Sequence, residues 1–222
     1  MVYLSLGRSD TMMRRGAEPT SYRRLVTRNL EGTLEWWRLG IDMLFGLPTD
    51  HICDARERMF LPEEMEAELE SGERRVESGE RMVDQARVLL AENREPLKSS
   101  FPPVVVFAML LLLVALLTWK RLWHAWMDRT FFVLAGVVGL FLLFMWFGTD
   151  HYCTQWNLNI LWASPLLLLI AIRLECSPRW ALWLQEGCFL AAVVWVVWCG
   201  LSLALIPLIL TLALRVGVML KN

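Results

Sequence analysis

The sequence predicts a mainly α-helical, polytopic membrane protein: five spans, N-terminus outside and C-terminus inside, preceded by a small helical soluble segment. Three observations predict it. Of 222 residues, 56% are hydrophobic and twelve are Trp, and the apolar residues crowd into the second half. Lys and Arg number 15 against 19 Asp and Glu over residues 1–100, but 7 against 4 over residues 101–222, so the net charge of −1 averages two unlike halves. From Phe101 onward, apolar stretches recur at about the 20 residues needed to cross a bilayer.

Residues 1–100 read as a partial soluble segment and a linker. Ser21–Leu30 and Thr33–Phe45 carry apolar residues at helical spacing, with Gly46 as candidate C-cap and Pro48 just past the stop. Leu61-Pro62-Glu63-Glu64 has the early Pro and acidic first turn of a helix start, running to about Leu69. A tandem follows, Glu70–Val76 and Glu77–Val83, of the form Glu-Ser-Gly-Glu-Arg-x-Val. Two copies are too few for a solenoid, and the Gly in each opposes a continuous helix, so the tandem reads as a solvated hairpin or turn-broken helix. Asp84–Glu92 reads as helix or strand, and Glu95–Pro103 leads into the membrane. Met1–Asp10 lacks the charged start and apolar run of a secretory signal. Exporting the segment needs such a start, so the chain is expected to be the C-terminal part of a longer reading frame or a shortened paralogue. A core of roughly 60–70 residues would also be marginal alone.

Residues 101–222 read as the membrane domain, with spans near 101–119, 130–148, 158–174, 181–199 and 201–220. Only Cys199-Gly200-Leu201-Ser202 separates the last two, and one helix that long would overshoot the bilayer roughly twofold. A tight turn at Gly200 resolves this, leaving Pro207 in the first turns of the fifth helix, where its missing N–H is easiest to accommodate. Orientation follows from basic residues near helix ends, which are retained in the cytoplasm. Lys120, Arg121, Arg129, Arg173, Arg179, Arg215 and Lys221 fall on one side, whereas Thr149–Asn157 and the turn at Gly200 carry no Lys or Arg. Trp residues flank both boundaries, where an amphipathic ring favours the headgroup layer.

One pentapeptide pattern, Thr-Asp-His-x-Cys, occurs at Thr49–Cys53 and again at Thr149–Cys153, and the predicted topology puts both copies outside. A zinc centre from His51, Cys53, His151 and Cys153 is disfavoured, because one intervening residue is not the two-to-four-residue spacing of a chelate; no metal or cofactor is expected. A Cys53–Cys153 disulfide suits an oxidising compartment and needs Cα atoms within about 7 Å. Coincidence in two polar turns is the third reading. Thr149, Asp150, His151, Asn157 and Asn159 form the main candidate site, because polar groups between two apolar spans need water, headgroups or one another. In the functional reading Asp150 orients the His151 imidazole, while Asn157 and Asn159 donate to phosphate or ester oxygens. In the structural reading the Asn side chains cap the third helix. Asp50 and His51 are secondary candidates. Cys176, Cys188 and Cys199 read as small apolar fillers, His124 as interfacial, and Glu186, a turn into its span, as snorkelling outward.

Several strings stand out: Ser21-Tyr-Arg-Arg24, Trp37-Arg-Leu-Gly-Ile-Asp-Met-Leu-Phe-Gly-Leu-Pro-Thr-Asp50, Arg56–Pro62, Trp146-Phe-Gly-Thr-Asp-His151, Asn157-Leu-Asn159 and Leu161-Trp-Ala-Ser-Pro165. In this order they resemble one family, the Bacteroidota membrane proteins with an Lnb-type periplasmic domain followed by a five-helix membrane domain. The resemblance implies lipoprotein N-acylation, the transfer of an acyl chain from a phospholipid to a lipoprotein's N-terminal amine. It also implies that the chemistry resides in a Cys/His domain upstream of this chain, so no catalytic residue carries over. His51 and Cys53 depart from the family's pattern, which is Arg-led after Leu-Pro-Thr-Asp; Thr149-Asp150-His151 fits.

The expected function is the inner-membrane anchor half of a lipoprotein N-acyltransferase-like protein, its periplasm-facing polar loop offered to lipid headgroups or to the catalytic domain. The chain alone is not expected to transfer acyl groups. The alternative is a non-catalytic structural membrane protein or partner subunit that docks a periplasmic protein. Expected partners are membrane lipids and a lipoprotein substrate or upstream catalytic domain, not nucleic acid. A transporter is disfavoured by the scarcity of ionisable residues in mid-span.

Overall fold

The computed structural model describes residues 19–30, 34–70 and 101–221. In chain order its helices are α1 (Tyr22–Thr27), α2 (Glu35–Leu44), α3 (Ala55–Arg58), α4 (Pro62–Glu70), α5 (Pro103–Trp119), α6 (Ala125–Phe147), α7 (Leu166–Ile172), α8 (Arg179–Cys199) and α9 (Leu205–Lys221). Short 3₁₀ turns cover Leu47–Asp50, Tyr152–Thr154 and Leu158–Leu161. The tandem beyond Glu70, the segment 84–92 and the linker before Phe101 lie outside the described residues.

The chain divides into two compact units, Met1–Val26 with His51–Pro96, and Thr27–Asp50 with Leu97–Asn222. The larger unit takes in Thr27–Asp50 together with the apolar helices. In the smaller unit, Ser21 and Ile52 form an antiparallel bridge, Cys53 N–H donates to Thr20 O at 3.0 Å, and Tyr22 stacks on Phe60 at 4.5 Å. Helix α3, not anticipated from the sequence, starts with a capping box: Asp54 accepts the Glu57 N–H and Glu57 accepts the Asp54 N–H. The Asp-x-x-Glu spacing at 54–57 was its signal. Arg58 closes the unit's other turn by pairing with Glu64 at 3.0 Å.

The larger unit is built around α9, which contacts α5, α6 and α8 and buries Leu205, Ile209, Leu212 and Val216. Helices α5 and α9 run one way and α6 and α8 the other: Arg215 late in α9 meets Asp128 early in α6 and Thr118 late in α5, and only a short turn separates α8 from α9. Residue 103, the end of α6, the α8–α9 turn and the start of α9 therefore share one end of the bundle, here the α2 end. Gly200 ends α8 in the left-handed region, φ 64°, where a side chain would be strained. Pro207 is the third residue of α9, so its missing N–H falls among those a helix start leaves unused.

By length and composition α6 and α8 are each able to cross a membrane, and the broken pair Tyr152–Leu161 with Leu166–Ile172, bent by 42°, makes a third segment. The stretch 158–174 was expected as one uninterrupted span. Ser164-Pro165 breaks it, because Pro cannot donate the next helical hydrogen bond. Two donors serve this segment's carbonyls: Gln185 of α8, fully buried, gives its amide to Leu161 O ahead of the break at 3.1 Å, and Arg129 of α6 gives its Nε–H to Ala171 O at the far end of α7 at 3.1 Å. The broken segment also lies very close to α6, since a Cβ on Gly139 would fall 1.6 Å from Ala163 O and one on Gly136 would fall 2.6 Å from Leu168. Small residues permit that approach between helices in an apolar medium.

Helix α6 begins at Ala125, five residues before the expected span, and so draws Asp128 and Arg129 into the bundle. Arg215 was counted among the charges flanking the membrane; it lies within α9, buried, with two bonds to Asp128 at 2.6 and 2.9 Å. Its remaining fork donates to Thr118 Oγ at 2.8 Å, and its guanidinium sits 4.8 Å from the Trp123 ring. One side chain thus joins α5, α6 and α9. Glu186 keeps its Oε1 buried, with no hydrogen-bond partner among the described residues, beside Gly217 of α9. Removing half of a buried ion pair strands the other charge, at about 3–5 kcal/mol, whereas an apolar replacement of both is often neutral. Asp128→Asn is therefore expected to lower the thermal midpoint of the detergent-solubilised protein sharply, and Asp128→Leu with Arg215→Met to restore most of it.

Candidate functional site

The α2 end of the bundle gathers most of the polar residues singled out from the sequence. Helix α2 lies there with Leu39 and Asp42 buried, and its last carbonyls face the loop after α6. A helix end leaves four carbonyls without intrahelical donors, and here asparagines from more than a hundred residues away receive them. Asn157 Nδ2 donates to Met43 O and Leu44 O at 2.8 and 2.9 Å. Asn159 Nδ2 donates to Asp42 O and Met43 O at 2.9 and 3.2 Å. The amide orientation is fixed chemically, because Asn159 Oδ1 accepts from the Trp162 indole N–H at 2.9 Å, a group that only donates. Asn157 Oδ1 in turn accepts the Asn159 N–H, capping the Leu158–Leu161 turn.

Backbone contacts complete the seam. Gly46 N–H donates to Cys153 O at 2.8 Å and Leu47 N–H to Trp156 O at 3.3 Å. Gly46 is not the left-handed C-cap that its position suggested; Phe45, in extended conformation, ends α2. Glycine is required for room, since a Cβ there would fall 1.7 Å from Gln155 O. Trp156 adopts φ 52°, a left-handed conformation worth about 1–2 kcal/mol of strain, and its ring packs 4.9 Å from Trp146.

On the bundle side of α2, buried Asp42 accepts the Ser202 N–H at 2.9 Å, just ahead of α9, where helix N-termini favour negative charge. Arg38 donates to Gly200 O at 3.3 Å and lies 3.7 Å from Asp42. Glu35 and Arg38 line a cleft of about 540 Å³ with Pro102–Val104 and the turn from Gly200 to Ala204. One guanidinium and one carboxylate at an otherwise apolar opening suit a zwitterionic or anionic headgroup.

The expected site residues separate. Asn157 and Asn159 come together but are 1% and 2% exposed, and their amides are spent on α2 instead of phosphate or ester oxygens. Thr149 turns its hydroxyl back to Met145 O at 2.7 Å. Asp150 and His151 are exposed on the loop with no hydrogen bond joining carboxylate to imidazole. Asp50 is half-buried in the turn after α2. His51, in the smaller unit, is exposed, 3.3 Å from Glu57. Cys53 and Cys153 are free thiols, one in each unit. Sequence reasoning missed Arg38, Asp42, Gln185 and Ser202. The available signal was charge: Glu35, Arg38 and Asp42 stand in an otherwise apolar helix.

Comparison with known proteins bears on this arrangement directly. The family model of the Lnb transmembrane domain matches residues 95–222, more than half of the chain. The chain belongs to this family. It therefore carries the membrane-anchoring part of an Lnb-type protein, consistent with the apolar helices from α5 onward. No curated protein and no solved structure matches the chain.

Two predictions test this geometry. Asn159→Leu strands the Trp162 indole and Asp42 O together, each buried unsatisfied group costing about 1–3 kcal/mol, so amide hydrogen exchange across α2 is expected to accelerate before the bundle itself destabilises. At Cys53, burial pushes the thiol up, Glu57 and Asp54 push the same way, and Arg58 opposes them. Its thiolate accordingly forms only above the ordinary cysteine range. Alkylation of a variant keeping Cys53 alone should be slow at neutral pH and rise at higher pH than for a free cysteine.

Proposed function

We propose that this chain is the inner-membrane anchor half of a lipoprotein N-acyltransferase-like protein, crossing the membrane five times with the α2 end in the periplasm. It presents that end to lipid headgroups and to a catalytic domain on the N-terminal side. The observation that carries the reading is the seam between α2 and the loop 153–159. The chain enters its membrane helices through a segment bonded to the bundle end at several points, as an anchor that must position a neighbouring domain requires.

Charge supports the orientation. Lys120, Arg121, Arg173, Arg179 and Lys221 cluster at the end opposite α2, while loops 148–157 and 200–204 carry no Lys or Arg, a bias that retains the basic end in the cytoplasm. Five spans agree with the helix directions, the broken segment returning the chain between the like-directed α6 and α8. Helices α5 and α9, at 17 residues each, rise about 25 Å, short of a bilayer core of about 30 Å, and local thinning or flanking side chains accommodate the difference. The polar groups offered outward are Asp150 and His151 on the exposed loop.

In intact cells a membrane-impermeant maleimide should label Cys153, or Asp150→Cys beside it, but not Cys176; the reverse pattern would sink the topology. In the full-length protein, Ala at both Asp150 and His151 should reduce lipoprotein N-acylation while leaving protein levels unchanged. Undiminished acylation would remove this loop from the reaction.

A further inference from the structure

Charge on α2 is arranged in the opposite sense to a helix that covers a bundle end in water. Glu35, Arg38 and Asp42, at i, i+3 and i+7, share the side turned to the bundle, where Arg38 and Asp42 bond to the α8–α9 turn. The opposite side presents Trp37, Ile41 and Leu44, at i, i+4 and i+7, with no charge among them. Trp37 is 70% exposed and Leu44 38%, and Leu47 in the next turn is also exposed and continues the stripe. A soluble helix shows its polar face outward; this one turns its charges inward and an aromatic and aliphatic stripe outward.

We propose that this stripe rests in the bilayer at the boundary of headgroups and acyl chains, so that α2 is an interfacial helix whose other face closes the bundle end. The occupant follows from continuity. Trp36, beside the stripe, donates its indole N–H to Phe101 O at 2.9 Å and sets its ring edge-on to Phe107 at 5.9 Å. These contacts put α2 level with the first turns of α5, where Phe101, Val104 and Val105 are exposed apolar surface of the membrane domain. Lipid that covers the exposed start of α5 therefore reaches α2 at Trp36, beside the stripe. A Trp with its N–H bonded and its ring on exposed apolar surface suits that depth, as does a helix with one charged and one Trp/Leu face. The inference rests on the topology proposed above and adds that residues 35–47, ahead of the first span, are themselves in lipid.

Nitroxide labels at Trp37→Cys and Leu44→Cys provide the test. The full chain, its native cysteines replaced by Ser, is reconstituted into phosphatidylethanolamine–phosphatidylglycerol vesicles and read by power saturation. Both labels are expected to be more accessible to oxygen than to a water-soluble nickel chelate, and a label at Asp150→Cys to show the opposite. Preference for the chelate at 37 and 44 would overturn the proposal, and so would shielding from both reagents, the signature of a protein cover. Labels at Ile41→Cys and Leu47→Cys repeat the reading should loss of Trp37 disturb folding. Sided maleimide labelling of the native cysteines in parallel vesicles separates the two levels. If Cys153 and Cys176 are not on opposite sides, the topology fails; if they are and the stripe is aqueous, only the interfacial helix fails.

Discussion

A helix that ends against apolar surroundings leaves carbonyl groups where no water can reach them, and the larger unit is organised by how those groups are received. An unreceived carbonyl in such a place costs about as much as a lost hydrogen bond or more, so each break in the helical ladder calls a side chain in from elsewhere. Asn157 and Asn159 serve the end of α2, Gln185 serves Leu161 at the broken segment, Arg129 serves Ala171 at the end of α7, and Arg38 serves Gly200 at the end of α8. Each donor belongs to a different element from its acceptor. Repairing secondary structure and fixing tertiary structure are thus accomplished by the same bonds.

That double role gives the bundle two polar ends of different character. At the α2 end the donors among the described residues are neutral amides and backbone N–H groups, apart from Arg38, and buried Asp42 faces the start of α9. At the other end the junction is ionic: Arg215 grips Asp128 with both arms of its fork and reaches Thr118 with the rest. A bidentate pair is geometrically selective, which sets the register of α9 against α5 and α6. The neutral seam, by contrast, admits a segment that precedes the bundle in sequence and ties it down without a buried net charge.

The repeated Thr-Asp-His-x-Cys pattern takes its meaning from these surroundings. In the copy at 149–153 the backbone matters most, with Cys153 O receiving Gly46 N–H, while Asp150 and His151 face outward. In the copy at 49–53 the pattern crosses from one unit to the other after Asp50, Thr49 turns its hydroxyl to Gly46 O at 2.7 Å, and Cys53 is held protonated by burial and neighbouring carboxylates. Similar residues perform different tasks, because the pattern records a preference for polar turns and not a shared chemistry.

Composition and periodicity were enough to read a helical membrane protein, a turn at Gly200, a helix over the region of α2 and another starting at Pro62, because these depend on local hydropathy, Pro and Gly conformational limits and spacing. The string from Asn157 to Pro165 was likewise legible as family sequence, within the matched residues 95–222, while the string from Trp37 to Asp50 carried a resemblance. That the two strings meet, amide to carbonyl, was not legible. Neither was the break at Ser164-Pro165, the need for glycine at 46 and 139, or the burial of Arg215 against Asp128. In each case the partner lies dozens of residues away or more, and a one-dimensional pattern registers a polar residue without registering what satisfies it. The sequence alone determined which segments leave water; the tertiary structure decided which polar groups go with them, since a donor enters an apolar interior only where an acceptor already waits.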